Sequence, residues 1–92
     1  MLELSAVQKD ALKKRIRRNC CATARKMGMT AAFTSTGIRV AQGPVAYVFD
    51  FKWNHLSNMW DLYHGDTWLA GRNQSYPNAI AHVVNHGVPD GH

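Results

Sequence analysis

The side chains of this sequence best suited to metal or acid–base chemistry are its five histidines. His82 and His86 lie four residues apart, a spacing that on a helix lets two imidazoles share one metal ion. The residues between them are Val83-Val84-Asn85, so the glutamate of an H-E-x-x-H metalloprotease is absent. Because credible third and fourth ligands are also lacking, we interpret both histidines as surface residues. We expect neither a metal site nor another cofactor.

Two adjacent cysteines are the candidate nucleophiles. On a helix the side chains of Cys20 and Cys21 diverge by about 100°, a poor geometry for a mutual disulfide. One thiol should be buried and inert, and no P-loop, G-x-S-x-G or G-x-G-x-x-G motif occurs. We therefore predict no catalytic residues and a non-enzymatic protein of the reducing cytoplasm. The alternative is a small enzyme, which a deep pocket lined by His55, His64 and Asp61 would favour.

Positive charge is concentrated at one end of the chain. Residues 1–27 carry eight of the eleven basic side chains and two acidic ones, so they are +6 while the remainder is −1. A one-ended field of this kind attracts a polyanion or an acidic surface. The candidate binding residues are Lys13, Lys14, Arg17, Arg18, Arg25 and Lys26.

The spacing of these cations favours a functional interpretation. Lys9, Lys13 and Arg17 recur at four-residue intervals, and like charges at that spacing cost a helix a few tenths of a kcal/mol per pair. A purely structural helix has no evident reason to keep them, so we expect contact with nucleic acid or with an acidic surface of a protein or nucleoprotein complex. The alternative is a solvated helix face. Oligomeric state is left open.

A second candidate surface lies on the predicted sheet. Its members are Lys52, Tyr63, Trp68 and Arg72. Aromatic side chains among basic groups on an open sheet can stack unpaired bases. The alternative is an ordinary cross-strand aromatic pair that needs no ligand. Asp50 and Asp61 on the same side oppose the nucleic-acid interpretation.

A long amphipathic helix should position the basic residues. Ser5 and Gln8 form a capping box, and Gly28 supplies a left-handed stop, so residues 1–28 form the basic helix segment. No Pro or Gly interrupts the helix between Ser5 and Gly28. Its narrow apolar stripe comprises Leu12, Ile16, Cys20, Thr23 and Met27.

Residues 32–72 predict an antiparallel sheet of three to four strands. Val45 to Trp53 alternates with a period of two, placing Phe49 and Phe51 on one face. Phe33 to Thr36 could extend the preceding strand through Gly37, as a bulge or bend. Gly65-Asp66 reads as the turn of a hairpin. In that hairpin Leu62 should face Leu69, and Tyr63 should face Trp68.

The chain should form one compact domain, 1–92, of the α+β class. Residues 75–87 predict a short C-terminal helix that begins near Ser75 and Pro77, and residues 88–92 predict a frayed tail. The core should contain Leu12, Ile16, Phe49, Phe51, Leu62, Leu69, Ile80 and Val83. No run of 18 apolar residues occurs, so we expect no membrane partner.

The order α-β-β-β-α resembles that of the double-stranded-RNA-binding domain. The last helix nevertheless begins with Ser75-Tyr76-Pro77-Asn78 and not with the lysine cluster that contacts phosphate in that family, so no site residue is carried over. The small size and concentrated positive helix also look like phage or mobile-element proteins that disable host machinery, anti-CRISPR proteins included. That resemblance implies an alternative function, an inhibitor that acts by protein binding.

Overall fold

The computed structural model describes residues 3–88, which form an α+β fold with a five-stranded antiparallel sheet. The elements in chain order are α1 (Ala6–Lys26), β1 (Thr30–Phe33), β2 (Gly37–Gln42), β3 (Val45–Asn54), β4 (Met59–His64), β5 (Thr67–Ala70) and α2 (Tyr76–His86). The strands lie in the sheet in the order of the sequence, so each is joined to its neighbour by a short connection. Both helices contribute to one core on one face of the sheet, and the opposite face is left without a helix.

The predicted bounds of α1 are confirmed by its capping contacts. Gln8 N donates to Ser5 Oγ over 3.2 Å, and Ser5 N donates to Gln8 Oε1 over 2.9 Å, which completes the capping box. At the other end Gly28 has a φ of +80°, a conformation in which glycine carries no Cβ penalty. Local sequence alone therefore determines where α1 begins and ends.

The prediction of three to four strands is wrong, because the sheet has five. The predicted extension of the strand through Gly37 is also wrong, because β1 ends at Phe33 and β2 begins at Gly37. The chain reverses after Phe33, because Thr34 N donates to Gly37 O and Gly37 N donates back to Thr34 Oγ1, each over 2.9 Å. Gly37 is the first residue of β2, where a Cβ atom would overlap the Phe49 carbonyl oxygen. Five strands also depart from the three implied by the α-β-β-β-α resemblance.

The β4–β5 hairpin turns at Gly65-Asp66 as predicted, and Gly65 has a φ of +58°. Tyr63 pairs with Trp68, which confirms that part of the register. Leu62 pairs with Ala70 and not with Leu69, because the register shifts between Leu62 and Tyr63. Leu69 is consequently only half-buried beside the core.

The core lies between the two helices and the sheet. Six of the eight predicted core residues are buried, and Leu12 and Leu69 pack partly buried at its margin. Cys21 and Ala24 extend the buried face of α1 to one side of the narrow apolar stripe, of which Cys20 is a buried member. The buried part of α1 thus wraps further around the helix than hydrophobicity alone indicates.

Helix α2 matches its predicted bounds. Ser75 caps it by accepting a hydrogen bond from Asn78 N over 3.3 Å, and Gly87 follows its end with a φ of +85°. Residues 89–92 of the predicted tail lie outside the described residues. Within residues 3–88, neither helix is long and apolar enough to cross a membrane.

Candidate functional site

Lys9 and Lys13 lie against the sheet and do not project into solvent from the helix. Trp53 and Trp60 are cross-strand partners with ring centroids 5.3 Å apart. The Lys9 ammonium lies 4.8 Å from the Trp53 centroid, and the Lys13 ammonium lies 4.7 Å from the Trp60 centroid. These are cation–π distances, so the two lysines hold the start of α1 against the ends of β3 and β4.

Hydrogen bonds secure the same junction. Trp60 Nε1 donates to the Lys9 carbonyl oxygen over 2.8 Å, and Trp53 Nε1 donates to Glu3 Oε1 over 2.6 Å. The Glu3 carboxylate also pairs with the Lys9 ammonium at 3.3 Å. The hydrogen bond from Trp53, aided by Lys9, lowers the pKa of Glu3 below its ordinary value. Hydrogen bonds and an ion pair therefore attach the start of α1 to the two tryptophans of the sheet.

Arg17 was expected among the binding residues, but only 8% of it is exposed. Its guanidinium carbon lies 4.3 Å from the Phe33 ring centroid, and Nη1 donates to the Thr34 carbonyl oxygen over 3.1 Å. Nε is buried without a hydrogen-bond partner among the described residues. Arg17 thus fastens α1 to the end of β1, which corrects its placement on an accessible side of the helix.

The four-residue spacing of these cations therefore has a structural explanation. Lys9, Lys13 and Arg17 each lie over a different aromatic ring of the sheet, so the row of like charges is stabilised by three cation–π contacts. The inference that a structural helix has no reason to keep this row is wrong. The period-two alternation already placed Trp53 on the core face, and its cross-strand partner Trp60 could have indicated the arrangement.

We predict that Arg17→Ala lowers the free energy of unfolding by about 2–3 kcal/mol, because it removes a buried cation–π contact and a charged hydrogen bond. Urea denaturation measures the loss. The matched control is Arg18→Ala on the exposed side of the same helix turn, which should change stability by no more than about 0.5 kcal/mol. Equal effects of the two substitutions would contradict the role given to Arg17.

A second set of cations on α1 faces outward. Its exposed members are Lys14, Arg15, Arg18, Arg25 and Lys26, whereas Lys13 is half-buried on Trp60. From Lys14 to Lys26 the set extends about 18 Å along the helix, at a rise of about 1.5 Å per residue. Arg15, which is not among the binding residues predicted from the sequence, belongs to it. We call these five residues the outward cationic face.

Among residues 3–88 the outward cationic face has no acidic ion-pair partner. Across residues 3–88 the one ion pair joins Lys9 to Glu3, at the opposite side of the helix. Asp10 is the single acidic residue of α1, and it forms no ion pair there. Arg25 donates to the Ala31 carbonyl oxygen over 3.1 Å. The other four cations are exposed to solvent, where they can meet an external anion.

The second candidate surface is only partly assembled. Lys52 and Tyr63 share the open face of the sheet, with the ammonium 4.4 Å from the ring centroid, so the lysine already covers this ring. Trp68 is 47% exposed and lies against Gly71. Arg72 lies away from the aromatic pair, because its guanidinium donates to the Ser57 carbonyl oxygen over 3.1 Å.

The acidic residues of the same face are also engaged. Asp50 accepts a hydrogen bond from Thr36, and Asp61 is buried and accepts one from Asn54 over 3.1 Å. Trp68 is therefore the side chain of this surface that offers the largest accessible ring. An isolated ring, flanked by groups already paired with one another, is a weaker ligand site than the outward cationic face.

The titratable residues considered for catalysis are dispersed. His64 Nδ1 lies 2.9 Å from the Val48 carbonyl oxygen, and Asp61 is buried against Asn54. His55 lines a separate cavity of about 190 Å³ that includes Glu3. The structure does not bring His55, His64 and Asp61 into one pocket.

Both cysteines are free and belong to the buried side of α1. Burial raises the pKa of Cys20 to about 12, and burial likewise raises the pKa of Cys21. At neutral pH both therefore remain thiols, which are poor nucleophiles. The sequence-based expectation of an inert thiol agrees with this environment.

The His82 and His86 rings lie on the exposed side of α2 with centroids 4.9 Å apart. In the part of the chain that the structure describes, no three His, Cys, Asp or Glu side chains are grouped so as to hold a metal ion. We predict that EDTA leaves the melting temperature unchanged, because no metal contributes to folding. A fall in melting temperature that zinc reverses would contradict this, and His82→Ala would then identify the ligand.

Comparisons with protein-family models, curated proteins and solved structures found no match for this chain.

Proposed function

We propose that this protein is a non-enzymatic cytoplasmic binding domain that docks the outward cationic face of α1 on an anionic partner. The observation that carries the proposal is the division of the basic residues into two sets. One set lies against aromatic rings, and the other is exposed with no ion-pair partner in the part of the chain that the structure describes. Contacts with the sheet account for the first set, whereas in the second set Arg25 donates to the Ala31 carbonyl oxygen and the other four cations face solvent.

Physical cost supports the same proposal. Lys14 and Arg18 lie four residues apart, and Arg15 and Arg18 lie three apart, so the charges of each pair repel one another by a few tenths of a kcal/mol. Among the described residues, no carboxylate forms an ion pair with these three side chains and no aromatic ring forms a cation–π contact with them. An anionic partner would offset the repulsion, and it would also gain from the one-ended field of the chain through faster association.

Salt dependence tests the proposal directly. Fluorescence anisotropy should be measured with random duplex DNA, single-stranded RNA and polyglutamate across a salt series. We expect at least one anion to bind at low salt, with an affinity that falls steeply as salt rises because charge contacts are screened. Failure of all three at low salt would contradict the proposal.

The type of anion separates the candidate partners. Binding of DNA or RNA, with a slope that reports several phosphate contacts, supports a nucleic-acid partner. Preference for polyglutamate supports an acidic protein surface. A protein target is also what the alternative function requires, in which a phage or mobile-element inhibitor blocks host machinery, and co-purification from host extract would then identify it.

A further inference from the structure

An apolar groove lies beside the outward cationic face. It has a volume of about 610 Å³ and is lined by Leu4, Gln8, Ala11, Leu12, Arg15 and Met59. Most of its lining is aliphatic, and Gln8 and Arg15 supply the polar groups. The groove is open along one side of the first half of α1, and its size lies within the range of about 300–1,000 Å³ typical of ligand pockets.

The outer surface of α1 therefore changes character along its length. In the first half, Val7 is 79% exposed and Ala11 lies one turn further on at the edge of the groove. From Lys14 and Arg15 onwards the outward residues are mainly cationic. Arg15 belongs to both regions, because it lines the groove and carries an unpaired charge. An apolar depression and a cationic face thus meet on one helix.

We propose that the partner of this domain is an acidic peptide segment whose apolar side chain enters the groove while its carboxylates meet the outward cationic face. This inference rests on the proposed function and names its partner class. Charge complementarity specifies acidic residues opposite Lys14, Arg15 and Arg18. The aliphatic lining from Leu4, Leu12 and Met59 specifies an apolar side chain in the partner. Side chains that enter a desolvated pocket contribute much of the binding free energy of a protein interface.

A nucleic acid fits the combined surface less well. Phosphate contacts are made by cations alone and need no aliphatic groove beside them. Unpaired bases stack on aromatic rings, whereas the groove has no aromatic side chain in its lining. An acidic peptide uses both halves of the surface, and a nucleic acid uses one.

Two synthetic peptides test the inference with the full-length protein. The first carries two leucines at positions i and i+4 followed by a run of glutamates, and the second has both leucines replaced with alanine. We expect the leucine peptide to bind about ten- to 100-fold more tightly, which corresponds to the burial of one or two leucine side chains. Equal affinities would show that the groove makes no contact with the peptide.

Variants of the protein locate the contact. Ala11→Gln should lower the affinity for the leucine peptide by at least about tenfold, because the longer side chain obstructs the groove. The affinity for the alanine peptide should not change, because the substitution leaves the net charge of the protein unaltered. The matched control is Ala6→Gln, another exposed alanine of α1 that lines neither the groove nor the outward cationic face, which should change neither affinity. Glutamine is a good helix former, so both variants should fold.

The outcomes distinguish this inference from the proposed function. If the alanine peptide and polyglutamate bind as well as the leucine peptide, or if only DNA or RNA binds, the inference of an apolar contact in the groove is wrong. The proposed function, binding of an anionic partner, still holds in either case. If no anion of any class binds, the proposed function fails together with the inference. Tighter binding of the leucine peptide that Ala11→Gln abolishes supports both.

Discussion

Replacing Lys14, Arg15 and Arg18 with glutamate should leave the domain folded. The affinity for its anionic partner should fall by at least about 100-fold, because three charge contacts become repulsive. Each substitution changes the net charge by two units, so the variant goes from +5 to −1. All three residues are exposed and outside the core, and glutamate has comparable helix propensity. Circular dichroism and denaturation check the fold, and anisotropy with the anion that binds the parent protein checks the affinity.

A second triple variant serves as the matched control. Arg39, Lys52 and Arg72 are also exposed, and replacing them with glutamate gives the same net charge on the sheet instead of the helix. If the outward cationic face makes the contact, this variant should lose much less affinity at physiological salt, where charges more than about 8 Å from the ligand are screened. A larger loss of affinity in the sheet variant than in the helix variant would show that the binding site lies on the sheet.

Truncating Phe49 to alanine should cost about 3–5 kcal/mol of unfolding free energy, a large part of the roughly 5–15 kcal/mol typical of a domain. Phe49 is fully buried at the centre of β3, with Tyr47 and His64 rings at 6.3 and 5.7 Å between centroids. The substitution leaves a cavity that the surrounding strands can fill only in part. The change in the urea midpoint measures the loss.

The neighbouring residue provides the control for this second prediction. Val48 lies on the opposite face of the same strand and is 45% exposed, so Val48→Ala should cost at most about 1 kcal/mol. Comparable losses for Phe49→Ala and Val48→Ala would mean that the two faces of β3 contribute equally. An unchanged midpoint for Phe49→Ala would contradict the structure of the core.

Features of the candidate site divide between those the sequence could predict and those it could not. The sequence indicated Lys14, Arg18, Arg25 and Lys26 as accessible, and the structure agrees, because their angular positions on a helix follow from spacing alone. It also indicated Arg17, which is buried on Phe33. Charge by itself does not reveal whether a long basic side chain extends into water or lies along an aromatic ring.

The groove lay beyond sequence reasoning for a similar reason. Leu12 was predicted to be a core residue, but it is half-buried and lines an open surface with Met59 of β4. Nothing in the spacing of the helix indicates that a strand distant in the chain leaves part of the apolar stripe uncovered. Such a gap depends on how far the helix and the sheet separate at one end.

The sequence by itself determined the two helices and the turn of the β4–β5 hairpin, since helix caps and turn glycines act over a few residues. Ser5, Gly28 and Gly65 each take the local conformation that their chemistry favours. Tertiary structure decided the number of strands and which cations remain free. Lys9 and Lys13 contact Trp53 and Trp60 only in the folded sheet, because these residues are far apart in the sequence. The cation–π energy therefore depends on tertiary structure.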